Sequence, residues 1–343
     1  MPALVVAGSG GWMLWRRQGF LVDDAYISFR YAENLAHGHG LVWNAGVPVE
    51  GYTNLLWVLL LAPFARAGVG LSAPALLGSL GFSVGVLWLL GGLSRRLRPG
   101  RAGLEHAMPG LLLACVPSFG HAATSGMEGP AFAFWVLLGL DQLLRGRDEP
   151  RRRLLAAASL PLAYFTRPEG ALVAALLLGF EAWRLPGPPL ARLRALAPVA
   201  AVVGAVVAAH VAVRLAYYGY LLPNTFYAKV IWGQASVLRG VIHALGFLLA
   251  GGWLALPGAS MVRQEGEARP WWQAGYLLAG VFAAYLVVVG GDHPFWYRFY
   301  VPLLPLPLLA FCERASRWAD GSREAGRLAG LGPPAWARAR VVA

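Results

Sequence analysis

Residues 20–54 read FLVDDAYISFRYAENLAHGHGLVWNAGVPVEGYTN. Two adjacent carboxylates, Asp23 and Asp24, precede a stretch in which Val22, Ala25, Phe29, Ala32 and Ala36 recur at helical spacing, while Arg30, Glu33, Asn34 and His37 take the other side. The pattern predicts an amphipathic helix lying along an interface, broken by the Gly-His-Gly of residues 38–40. An Asp at the start of such a helix commonly serves as its N-cap, where the helix dipole favours negative charge. Capping by one Asp and chemistry by its neighbour are compatible.

Outward from this stretch the chain is mostly Leu, Ala, Val and Gly, and 57% of its residues are hydrophobic against 13% charged. Water cannot solvate a surface so apolar, so the composition predicts an all-α, polytopic membrane protein. The net charge of +12 does not point to nucleic acid, because all but one of the 29 basic residues are Arg, the exception being Lys229, and most cluster between apolar runs. That is the pattern of positively charged cytoplasmic loops. Cys115 and Cys312 both lie in apolar segments, which suggests neither a disulfide framework nor a thiolate metal site.

Runs near 72–93, 195–217, 237–255 and 271–289 have the length and apolarity of spans, and shorter candidates lie near 1–15, 107–122, 130–144, 153–165, 169–183 and 299–312. Together they predict about ten transmembrane helices. The connecting loops are of two kinds. One kind is rich in Arg: 94–101, 145–153, 184–194, 262–269 and the tail 313–343. The other carries acids, amides, His and aromatics: 17–54, TSGMEG (124–129), TRPEG (166–170), YYGYLLPNTFYAK (217–229) and GGDHPFWYR (290–298). If residues 52–66 lie along the membrane surface, the two kinds alternate throughout, which places the Arg loops in the cytoplasm and the others outside. Arg16 and Arg17 depart from that rule. The expectation is one membrane domain over 1–343, with a first outer loop over 17–71 carrying juxtamembrane helices and a cytoplasmic tail over 313–343.

Three cations, Arg167, Lys229 and Arg298, stand on the face that should be poor in them, an arrangement that suits a shared anion. A lone Arg at such a boundary also snorkels to headgroups. Glu50, Glu128 and Asp292 are ordinary loop carboxylates when taken singly, and His293 an ordinary loop histidine. There is no zinc-ligand spacing, no Gly-rich phosphate loop before a basic residue and no serine nucleophile elbow in the sequence. Adjacent carboxylates such as Asp23 and Asp24 suit a hard divalent cation, but nothing in the pattern demands one.

The strings DDAYISFRYAENLAHGHGLVWN, VEGYTNLLW, TSGMEGPAFAF, TRPEG, PNTFYAK and GGDHPFWYRFYVPLLP, in this order, resemble the GT-C fold membrane glycosyltransferases. Within that group the chain is most similar to bacterial arabinofuranosyltransferase-like and mannosyltransferase-like proteins that take sugar from a polyprenyl phosphate. The resemblance runs from about Leu21 to about Ala310. It implies an acidic residue of the first outer loop, Asp23 or Asp24, as the base that activates the acceptor hydroxyl. It implies Arg167, Lys229 and Arg298 as contacts to the lipid phosphate. Glu50, Asn54, Glu128, Glu169, Asn224, Asp292 and His293 are the candidates for contacts to sugar and acceptor. Gly129 before Pro130, and Leu55 where such proteins often have Pro, depart from the pattern. Relatives with further spans and an outer C-terminal domain suggest that this chain is truncated or minimal.

The implied partners are a polyprenyl-phosphate sugar, a glycan, lipid or protein acceptor, and membrane lipids. The implied site is the outer face of the bacterial inner membrane. The implied chemistry is a single displacement with inversion, in which a carboxylate faces the acceptor and cations face the departing phosphate. Trp43, Tyr52, Tyr227 and Trp296 suit either sugar stacking or the interfacial aromatic belt. The competing reading is a transporter or flippase of a lipid-linked sugar. Such a protein ordinarily buries ionisable groups near the midplane, where this sequence holds few, His210 and Arg214 being nearest.

Overall fold

The computed structural model describes residues 21–147, 149–229, 234–291 and 297–328. The expected span at 1–15 and the site candidates Asp292 and His293 lie outside them, as does Trp296. Each of the other nine expected spans falls on helix. Three helices are long and apolar enough to cross a bilayer: Ser72–Leu97, Pro189–Tyr218 and Arg269–Val289. A fourth crossing is available if Gln234–Leu249 and Gly252–Arg263, bent by 74°, act as one. By length and apolarity, then, the described helices do not reach ten. Gly129–Arg145, Pro150–Thr166 and Gly170–Arg184 have 17, 17 and 15 residues, because charged Arg loops and Pro or Gly turns close in on both ends. The 107–122 run divides at Pro117 into Gly103–Cys115 and Pro117–Thr124. A proline has no N–H to continue the ladder and starts a helix instead.

The main core joins Leu90 and Leu93, Phe132, Leu137 and Leu140, Leu160, Phe282, and Leu308 and Leu309, all buried. These residues come from the helices Ser72–Leu97, Gly129–Arg145, Pro150–Thr166, Arg269–Val289 and Pro305–Leu328. A second, smaller core sits under the helix Asp23–Ala36, here α1, and Leu55–Arg66, here α2. Ala25, Phe29 and Ala32 of α1 meet Trp57, Val58 and Leu61 of α2, which bears out the apolar face read from the sequence. At 12 residues, α2 is about 18 Å long and too short to span.

Two expectations about this region change. Asn34, assigned to the polar face, is buried, and its Nδ2 donates to the carbonyls of Val42 (2.7 Å) and Trp43 (2.9 Å). Neither Asp is the N-cap of α1. That position is Val22, and Asp23 Oδ1 instead accepts the N–H of Asp24 at 2.9 Å, satisfying a first-turn donor from within the helix. The expected tail begins inside a helix. Pro305–Leu328 runs unbroken past residue 313, and the buried Glu313 is bonded to Arg98 at 3.0 Å.

Candidate active site

Four of the acid- and aromatic-bearing loops converge at one end of the bundle. The turn of TSGMEG is made by Gly126 at φ +73, a left-handed conformation that Gly adopts without a Cβ clash. Its carbonyl accepts from Trp57 Nε1 at 3.1 Å, which fixes Glu128 beside α2. In TRPEG, Pro168 follows the end of one helix, and Gly170 packs so tightly on the backbone of Ala163 and Tyr164 that no Cβ would fit. That close turn holds Arg167 and Glu169 at the same corner.

Arg167 Nη1 pairs with Glu128 Oε1 at 3.0 Å and its Nη2 with Glu169 Oε1 at 3.4 Å. Burial works against this cation, but Glu169 and Glu128 more than offset it, so its pKa stands above the usual arginine value. Asn54 Nδ2 donates to the other oxygen of Glu128 at 2.8 Å and to Ser28 Oγ of α1 at 2.9 Å. The Arg167 guanidinium lies 4.1 Å from the ring centre of Phe299, and that of Arg298 lies 5.3 Å from the same ring. Arg298 Nη2 in turn bonds Asp24 Oδ2 at 2.5 Å. Asp24, Arg298, Phe299, Arg167, Glu169, Glu128, Asn54 and Ser28 therefore form one connected set drawn from five separate stretches of sequence. Asp23 is the exposed neighbour at its edge.

Two acceptor atoms in this set are buried with no hydrogen-bond partner among the described residues, Asn54 Oδ1 and Glu169 Oε2. Buried polar atoms are nearly always bonded, so these two are the acceptors of the cluster with bonding capacity left over among the described residues. Among the described residues no group of three or more His, Cys, Asp or Glu is arranged to hold a metal ion.

The sequence candidates separate accordingly. Asp24, Asn54, Glu128, Glu169, Arg167 and Arg298 come together. Glu50 does not join them. Both its oxygens are taken by Arg214, at 2.7 and 3.1 Å, with the two side chains 3% and 5% exposed. Burial pushes the Glu50 carboxyl up and the Arg214 contact only partly offsets this. Glu50 is thus an anchor between the first loop and the end of Pro189–Tyr218, not a group open to sugar. Asn224 presents an exposed side chain, while its N–H donates to the Glu50 carbonyl at 3.0 Å. Lys229 ends the short helix Asn224–Lys229. Ser28 and Phe299 were missed in the sequence, although each carried a signal: Ser28 is one helical turn from Asp24, and Phe299 adjoins Arg298.

No family model matches the chain. It is 31% identical over 269 residues to a terminal β-(1→2)-arabinofuranosyltransferase of Mycobacterium tuberculosis, an alignment covering 72% of this chain and 40% of the relative. The protein of the same name from Corynebacterium glutamicum is 26% identical over 275 residues, covering 68% of this chain and 37% of that one. The chain thus spans about two fifths of the length of the curated relatives it matches. Among solved structures it is similar to ArnT from Cupriavidus metallidurans in the apo state, with a TM-score of 0.59, 17% identity and coverage of 86% of this chain and 55% of that one. That likeness, over a helical bundle with apolar helices, gives the chain the GT-C fold. In sequence it resembles the two arabinofuranosyltransferases over about seven tenths of its own length.

Proposed function

We propose that this protein transfers a glycosyl residue, an arabinofuranosyl unit, from a polyprenyl phosphate to a hydroxyl of a cell-envelope glycan at the outer face of the inner membrane. The observation that carries the reading is the bond between Asp24 and Arg298 inside a cluster that still offers two unbonded acceptors. The choice of sugar follows the name of the relatives.

In this reading Asp24 accepts the proton of the acceptor hydroxyl as its oxygen attacks the anomeric carbon. Asp23 is left to close the first turn of α1. As the sugar–phosphate bond breaks, charge on the leaving phosphate rises, and Arg298, already held at the carboxylate, strengthens its attraction to it. Arg167, against the same Phe299 ring, supports that field, and Asn54 and Glu169 accept hydroxyls of donor or acceptor. Attack opposite the leaving group inverts the anomeric centre.

The test is transfer by the purified protein from synthetic polyprenyl-phosphoryl arabinofuranose to an arabinofuranose oligosaccharide, with the product linkage read by NMR. No transfer by folded protein, together with movement of the lipid-linked sugar across a vesicle bilayer, would favour the transporter reading. Sidedness is tested by cysteines at the exposed His39 and Asn224, expected to label from outside, and at the exposed Gly100 and Glu267, expected not to.

A further inference from the structure

A cavity of about 330 Å³ opens beside α1, between Tyr31 and the bridged turn Asn44–Val47. Its floor is Tyr31, fully buried, whose hydroxyl donates to the Val49 carbonyl and accepts the Gly51 N–H, both at 2.7 Å. Its wall is Trp43, whose carbonyl takes bonds from Arg30 Nε at 3.0 Å and Asn34 Nδ2 at 2.9 Å, while the side chain stays 42% exposed. The two rings stand 6.2 Å apart and tilted by 55°; Tyr31 is covered, so Trp43 supplies the open aromatic face of this corner, which Asn44 also lines. The loop that carries it is locked to the bundle by Glu50–Arg214 and by Tyr218, whose hydroxyl donates to the Leu41 carbonyl at 2.6 Å. An indole whose only task is to sit among headgroups needs neither a doubly bonded backbone nor a concave neighbour.

Asp24, Ile27 and Tyr31 lie at i, i+3 and i+7 on α1, so the corner continues the side of the helix that carries Asp24, beginning about one turn away. A volume at the small end of ligand sites, roughly 300–1,000 Å³, suits one or two saccharide rings. The C–H face of a sugar is weakly positive and rests on the negative face of an aromatic ring. Its hydroxyls need amide partners such as Asn44. We infer that this corner is an acceptor subsite, in which a saccharide ring one or two units behind the reacting end rests on Trp43 while the terminal hydroxyl reaches Asp24. The inference rests on the glycosyl transfer proposed above and adds to it the acceptor's binding register.

The experiment compares a six-ring arabinofuranose oligosaccharide with octyl arabinofuranoside, which has no second ring, as acceptors for wild type, Trp43→Ala and Trp43→Phe of equal melting temperature. Trp43→Ala should raise the KM of the long acceptor about tenfold, a loss of about 1.4 kcal/mol, with a change under about twofold for the short one. Trp43→Phe should restore most of the difference. An equal rise for both acceptors, no rise for either, or a rise in donor KM, which would mean that the isoprenoid chain fills the corner, overturns the subsite. If the wild-type protein transfers to neither acceptor, the proposed reaction fails, and direct titration with the six-ring oligosaccharide decides the pocket separately. Saturable binding weakened about tenfold in Trp43→Ala supports it, and absence of saturable binding by wild type refutes it.

Discussion

Two arginines at opposite ends of the bundle, Arg98 buried and Arg167 half-buried, differ in what surrounds them. Arg98, 2% exposed, has every nitrogen bonded: Nε to Glu313 at 3.0 Å, Nη1 to Ser94 and the Glu105 carbonyl, and Nη2 to Ser316 and the Cys312 carbonyl. Arg101 adds ion pairs to Glu313 and Asp320, and Arg96 pairs with Asp141. Arg167 has two carboxylates and an aromatic face, and the groups that share those carboxylates keep unbonded oxygens. A charge taken out of water must be neutralised and its partners satisfied. At the Arg98 end the protein completes that from its own side chains and ties the helix Pro305–Leu328 to Ser72–Leu97. At the Arg167 end two oxygens stay unbonded among the described residues, and the proposed reaction gives them hydroxyls of donor or acceptor to accept.

Substitution should therefore separate stability from activity between the two ends. The largest effect on stability is expected at the closed end: Arg98→Ala takes from Glu313 its most buried counter-ion, leaving only Arg101 and Arg317 beside it, and should cost about 3 kcal/mol of stability. Denaturation in detergent should show it, with turnover per folded molecule unchanged. A loss of turnover with full stability would place Arg98 in the chemistry and undo the contrast.

At the open end, Asp24→Asn should lower turnover about a thousandfold with an unchanged melting temperature, and Asp23→Asn less than about tenfold, since Asn can also accept the helical N–H. Equal loss from both, relieved by added divalent cation, would instead point to a metal shared by the pair. Near-normal turnover in Asp24→Asn would remove it as the base. Arg298→Ala should reduce turnover about a hundredfold with donor KM less affected, and Lys should rescue in part because it lacks the planar fork. Loss of stability alone would make Arg298 merely a clasp for Asp24.

The smallest effect is expected at Glu169. Glu169→Gln keeps the shape and one acceptor, so turnover should fall about tenfold or less with melting almost unchanged. A gain in stability without loss of turnover would show that the orphan oxygen awaits no ligand.

The alternation of Arg loops with acid-bearing loops, the apolar face of α1 and the meeting of Asp24, Glu128, Arg167 and Arg298 at one end were all legible before any coordinates. Hydropathy and charge are properties of a segment facing its solvent, and a bilayer sorts segments by exactly those properties. What the sequence could not contain was the choice of partner. Nothing local distinguishes Asp23 from Asp24. Only the approach of Arg298, 274 residues away, does so. Glu50 looks like any loop acid until Arg214, 164 residues on, covers both its oxygens, and Asn34 sits on the polar face of its helix until Val42 and Trp43 fold over it. The number of described helices long enough to cross also fell short of the apolar runs, because a run's hydropathy does not fix where Pro, Gly and Arg end the helix it forms. Segment character follows from composition and period, which are local. Pairing follows from which loops the packed helices bring within hydrogen-bond reach, and that only the tertiary structure decides.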